Sequence, residues 1–142
     1  MTGSFAVQRA LQVGFEDAVA RLPAALGSEG FGVLTQIDVE AVFAQKLGLP
    51  FRRYRIFGAC NPALAHRALA ASLMAGVMLP CNVVLWEGDD GRAVVTAVDP
   101  TASPAAAADP ALAELAREVR QRLERVLVTL AAPGGEGEVA GG

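Results

Sequence analysis

The chain has 142 residues, 53% of them hydrophobic and 19% charged, which is ample apolar material for a filled core and too little polarity for a disordered chain. Its net charge of −3, with no basic block, and an aromatic content of 6% argue against a phosphate-tracking or base-stacking nucleic-acid surface. Two cysteines are too few for a disulfide scaffold, and the first fifteen residues lack the basic start and unbroken apolar run of a signal peptide, so a reducing, cytoplasmic compartment is expected.

In chain order, FAVQRALQV (5–13) places Phe5, Val7, Leu11 and Val13 on one alternating face and reads as a half-buried strand. A helix follows, with Phe15, Val19, Leu22 and Leu26 at helical spacing. Pro23 removes a backbone donor and predicts a kink or an early end there. FGVLTQID (31–38) is a second strand. VEAVFAQKLG (39–48) is a short helix with Asp38 as N-cap and Gly48 as its stop. RRYRIFGA (52–59) is a third strand, whose Arg52, Arg53 and Arg55 read as a solvated edge, or else as a cradle for an anion.

Asn61-Pro62 opens a third helix, since Asn caps well and Pro suits the first helical position. Its apolar set Leu64, Leu69, Leu73 and Val77 predicts a continuous helix in close packing. CNVVLWE (81–87) and RAVVTAV (92–98) flank Gly88-Asp89-Asp90-Gly91 and predict a hairpin. TASPAAAA (101–108) is an Ala-rich connector. Asp109-Pro110 starts a last helix, with Leu112, Leu115, Val119, Leu123, Val126, Leu127 and Leu130 in one stripe. The expected domain is 1–132, and 133–142 reads as a Gly-rich disordered tail. Residues 68–86 carry no charge, but Gly76, Pro80, Cys81 and Asn82 interrupt them, so a helix running into a buried strand is expected rather than a membrane span.

No phosphate-binding glycine loop, dinucleotide fingerprint, paired Cys-x-x-Cys or His-Glu-x-x-His motif is present, and no metal site is expected. His66, the one histidine, reads as solvated. Asp38, Glu87 and Asp99 stand at strand ends, where carboxylates serve as caps or, if they converge, as an acid–base pair. Trp86 reads as packing. Two phrases stand out: Ala59-Cys60-Asn61-Pro62 and Leu79-Pro80-Cys81-Asn82. They admit two readings. A free cysteine is often a small buried hydrophobe beside a well-capped helix. Alternatively, a thiol ahead of a helix N-terminus is biased toward thiolate, and two neighbouring thiols suit redox or persulfide chemistry.

The phrases GFEDAVARL, GFGVLTQIDV, YRIFGACNPALAHRAL, MLPCNVVLWE and VDP, in this order, resemble the bacterial and archaeal family called domain of unknown function 302, over about residues 5–130. The elements read along the chain follow the order β-α-β-α-β-α-β-β-α, with about five strands; the resemblance implies a small two-layer α+β fold, with helices on one face of a largely antiparallel sheet, often as a homodimer. It implies no reaction and no cofactor. The signature positions are Asp38, Cys60, Asn61, Pro62, Pro80, Cys81 and Asn82. The sequence departs from the family pattern at ASLMAG (71–76) and at Pro23. The expected function is a small cytoplasmic ligand-binding or accessory module with a cleft near the two Cys-Asn phrases. The alternative is a thiol-dependent sulfur-carrier or redox protein using Cys60 and Cys81.

Overall fold

Alternating burial organises the chain into one sheet. In the computed structural model, which describes residues 5–132, strands β1 (Ala6–Gly14), β2 (Gly32–Asp38), β3 (Tyr54–Cys60), β4 (Cys81–Glu87) and β5 (Arg92–Val98) pair antiparallel in the order β1-β5-β4-β3-β2. The predicted tail at 133–142 lies outside the described residues. The β4–β5 hairpin forms as expected, closed by a Gly91 N–H to Gly88 carbonyl bond with Gly91 at φ +82°. On one face Phe57, Ala59, Val83, Leu85, Val95 and Ala97 are sealed from water. Helices α1 (Phe15–Gly27) and α5 (Pro110–Ala131) cover that face, so the layers match the α+β expectation.

The opposite face is lined by half-buried residues. Tyr54 and Trp86 are directly paired across β3 and β4, and their rings stack 5.6 Å apart and nearly parallel. Phe51 tilts against Tyr54, and Phe43 of α2 (Val39–Leu47) meets Phe51 edge-on. No residue of α2 is buried.

Several helix starts use one device, a polar cap. Asp38, Asn61, Ser103 and Asp109 each accept a hydrogen bond from a first-turn backbone N–H, and the last three are followed by Pro at the first helical position. Asp99 does the same ahead of a 3-10 turn at Pro100–Ala102.

Some expectations are corrected. Pro23 neither kinks the sequence out of helix nor ends it: α1 continues to Gly27. Pro23 sits on the exposed side of α1. The third helix is shorter than its apolar spacing suggested. It ends as α3 (Pro62–Ala71), Ser72 is fully extended, and a 3-10 segment Leu73–Met78 follows. That tighter winding turns Ala75 inward and leaves Leu73 87% and Val77 86% exposed, where packing was expected. The 101–108 connector contains a helix of its own, α4 (Pro104–Ala108). β3 is an inner strand rather than an edge and begins only at Tyr54, so Arg52 and Arg53 precede it; all three arginines engage protein partners. Arg52 donates to the Glu87 carbonyl and pairs with Asp89, and Arg53 pairs with Glu16. Arg55 lies over the Phe15 ring and 3.9 Å from Asp38.

No helix among the described residues is long and apolar enough to cross a membrane.

Candidate ligand-binding site

The antiparallel order gives the sheet two chemically distinct ends. At one end β3 finishes at Cys60, β4 begins at Cys81 and β2 begins at Gly32; at the other lie Asp38, Tyr54 and Glu87. Ala59 is the cross-strand partner of Cys81, and Cys60 is the partner of Gly32. The two cysteines are therefore one register step apart on neighbouring strands, and both are free thiols.

Beyond this end, α3, the 3-10 segment, α4 and the first half of α5 enclose a small second core of Leu64, Ala75, Leu112 and Leu115. Between it and the strand ends is a cavity of about 90 Å³. Cys60, Asn61 and Cys81 line it from the sheet side, and Leu64, Ala68 and Met78 are among the residues that wall it from the helices. Its wall is almost wholly apolar, which favours a dry space over a hydrated one.

The electrostatics follow from burial. Cys81 is nine-tenths sealed, and loss of solvent around its sulfur, reinforced by the neighbouring Cys60, pushes its pKa from 9.0 up to about 11. It is a neutral thiol at physiological pH. Cys60 is half-buried.

Asn61 has two roles. Its side-chain oxygen accepts from the Leu64 N–H at 3.2 Å and so caps α3, while its amide nitrogen reaches the Glu29 carbonyl at 3.5 Å. Arg122 of α5 donates to the same carbonyl at 3.0 Å, and Arg125 pairs with the Glu29 carboxylate at 2.9 Å. The turn after α1 is thus fastened to α5 and α3, which fixes Phe31 in the cavity wall. Gly30 in that turn has φ +84°, and a Cβ there would come within 2.7 Å of the Asn61 amide nitrogen. Pro62 serves as the first helical residue of α3.

Pro80, joined to Leu79 by a cis peptide, packs against Gly58. A Cβ on Gly58 would meet the Thr35 hydroxyl and lie 2.7 Å from the Pro80 ring, so this glycine is required by close approach. Asn82 is exposed and pairs with Gly58 outside the cavity wall. Asp38 is at the far end of β2, where it caps α2. The signature residues therefore divide: Cys60, Asn61 and Cys81 line the cavity, whereas Pro62, which starts α3, Pro80, which packs against Gly58, Asp38 and Asn82 are not in its wall.

The three strand-end carboxylates do not converge as an acid–base site. Asp99 is buried, accepts from the Thr101 N–H at 3.0 Å and its hydroxyl at 2.6 Å, and pairs with Arg120 at 3.2 Å. Glu87 and Asp38 belong to the opposite end of the sheet. His66 is exposed, and among the described residues no group of three His, Cys, Asp or Glu side chains could hold a metal.

Sequence reasoning did not find the helical half of the cavity. Leu64, Leu112 and Leu115 look like any core leucine in a sequence, and only the break at Ser72, inside the Ala/Ser/Gly-rich run, signals that the wall is interrupted.

The chain resembles a solved structure, the crystal structure of an uncharacterized conserved protein DUF302 from Bacillus stearothermophilus, with a TM-score of 0.83 and 32% identity, covering 90% of this chain and 99% of that one. No curated protein matches it. The family model described as domain of unknown function DUF302 matches residues 7–130, and the chain belongs to that family.

Proposed function

We propose that the protein is a ligand-binding module that takes a small apolar group, such as the end of a short aliphatic chain, into the cavity at the Cys60–Cys81 end of its sheet. In this reading residues 1–132 act as one domain, the molecule works as a homodimer in the cytoplasm, and Cys60, Asn61 and Cys81 form the polar rim against which the ligand's head is placed. The observation that carries it is the cavity itself, an apolar pocket between the cysteine ends of β3 and β4 and the small second core of Leu64, Ala75, Leu112 and Leu115. About 90 Å³ is less than the roughly 150 Å³ known to admit benzene, so the group bound is slender, or the exposed 3-10 segment yields to admit it. Two free cysteines agree with a reducing compartment.

The rival reading, thiol-dependent sulfur or redox chemistry, needs a thiolate, and the raised pKa of Cys81 opposes one at that position.

The test is titration with short-chain alcohols and fatty acids, read by chemical shifts of the cavity-wall methyl groups and by Tm. Shifts confined to Leu64, Leu112, Leu115 and Met78, abolished in the cavity-filling variant Ala68→Leu, are expected. Uniform shifts, or shifts unchanged in that variant, would overturn the reading.

A further inference from the structure

The cavity at the end of the sheet has nucleophilic side chains in its wall. Cys60 and Cys81 both line it, and both are free thiols. Their surroundings divide them. Cys81 is 8% exposed, and among the described residues no hydrogen bond reaches its sulfur, so a polar group stands unpaired against the apolar space. Burial also keeps it a neutral thiol, which is a poor nucleophile. Cys60 is only half-buried and has contact with solvent as well as with the cavity.

The space itself limits what can sit beside that thiol. No charged residue lines it, so a free carboxylate drawn inside would lack a counter-charge, whereas a thioester carries no charge. Benzene needs roughly 150 Å³ for its six carbons, so about 90 Å³ takes a chain of about three or four. A chain that short gains little from burial alone, and a bond to the thiol at its end makes its stay long.

We infer that Cys60 is an S-acylation site, which accepts a short acyl group from an acyl thioester and lodges its chain in the cavity. The inference rests on the ligand-binding reading above and names the class of ligand. The Cys60 sulfur attacks the donor's carbonyl carbon and a new carbon–sulfur bond forms. The bond to the donor's sulfur breaks, and the departing thiol takes up the proton that Cys60 releases. One thioester replaces another, so neither oxidant nor reductant is consumed. α3 begins two residues after Cys60, and the positive end of its dipole favours the negative charge that builds on the carbonyl oxygen during the exchange.

The test uses the full chain and the acetyl, propionyl and butyryl thioesters of N-acetylcysteamine, read by intact mass and peptide mapping. Alkylation of Cys60 by iodoacetamide measures plain thiol reactivity. Scaled to that rate, butyryl is expected to transfer about tenfold faster than acetyl, as burying two more methylene groups implies. The acyl group should map to Cys60 alone. In Ala68→Leu the gain with chain length should vanish while iodoacetamide still alkylates Cys60. Transfer at one rate whatever the chain, an acyl group on Cys81, or a gain untouched in Ala68→Leu would each overturn the inference. The first two are read on the wild type and decide the matter where the variant does not fold. If butanol shifts the cavity methyl groups and no thioester reacts, the binding reading stands and acylation falls; if neither happens, both fall.

Discussion

A thiol sealed at the end of a strand costs more to ionise than one in water, and Cys81 carries that cost into the stability of the fold. Its pKa is 9.0 in the open chain and about 11 when folded. Between those values the folded state holds a proton that the unfolded state has released. The contribution is therefore fully present below pH 9 and is lost as pH rises toward 11. Two pKa units correspond to about 2–3 kcal/mol across that window. We expect wild-type stability, measured by denaturant unfolding, to fall between pH 9 and 11 more steeply than that of Cys81→Ala, since the difference between the two cancels every other titrating group. Parallel curves would show that Cys81 is not buried as a neutral thiol.

At the scale of elements, the caps decide where helices begin, and Asn61 is the one that also joins three elements. Replacing it by Ala removes the bond to the Leu64 N–H and the reach to the Glu29 carbonyl, and should cost about 1–2 kcal/mol. Asn61→Asp keeps the cap oxygen and loses the amide donor. It also brings a carboxylate toward the Glu29 carbonyl. We expect it to recover part of the loss in urea titrations; a loss as large as that of Asn61→Ala would contradict this expectation.

The same contrast explains what could be read before the fold was known. Caps, the Gly88–Gly91 turn and the alternation of β4 and β5 are local, so short-range chemistry settled them. The end of α3 is different. Leu69, Leu73 and Val77 keep helical spacing past Ser72, yet the backbone turns extended there because the packing partners lie on the Ala75 side. The cavity was legible from its cysteine rim and illegible from its leucine wall, for the wall is made by four elements meeting. The exposure of β2 was invisible for a similar reason, since 31–38 reads simply as a strand until strand order puts it on an edge.

The molecule as a whole rests on two cores of unequal size, and α5 belongs to both. Over its 22 residues, about 33 Å, Leu123, Val126, Leu127 and Leu130 join the large core against the sheet, whereas Leu112 and Leu115 join the small one against α3. The small core buries four residues and opens onto the cavity, so ordering α3 and the segment behind it is supported by far less apolar burial than ordering β4 or α1. A region with few buried contacts opens at lower free energy than the whole molecule. Native-state hydrogen exchange should show α3 amides, Leu64 to Ala71, exchanging through local opening with little dependence on denaturant. Val83 and Leu85 in β4 should exchange only with global unfolding. Such an opening would let a ligand pass Leu73–Met78 while the sheet that carries Cys60 and Cys81 stays intact. Equal protection of α3 and β4 would contradict this division and mean that the two cores unfold as one.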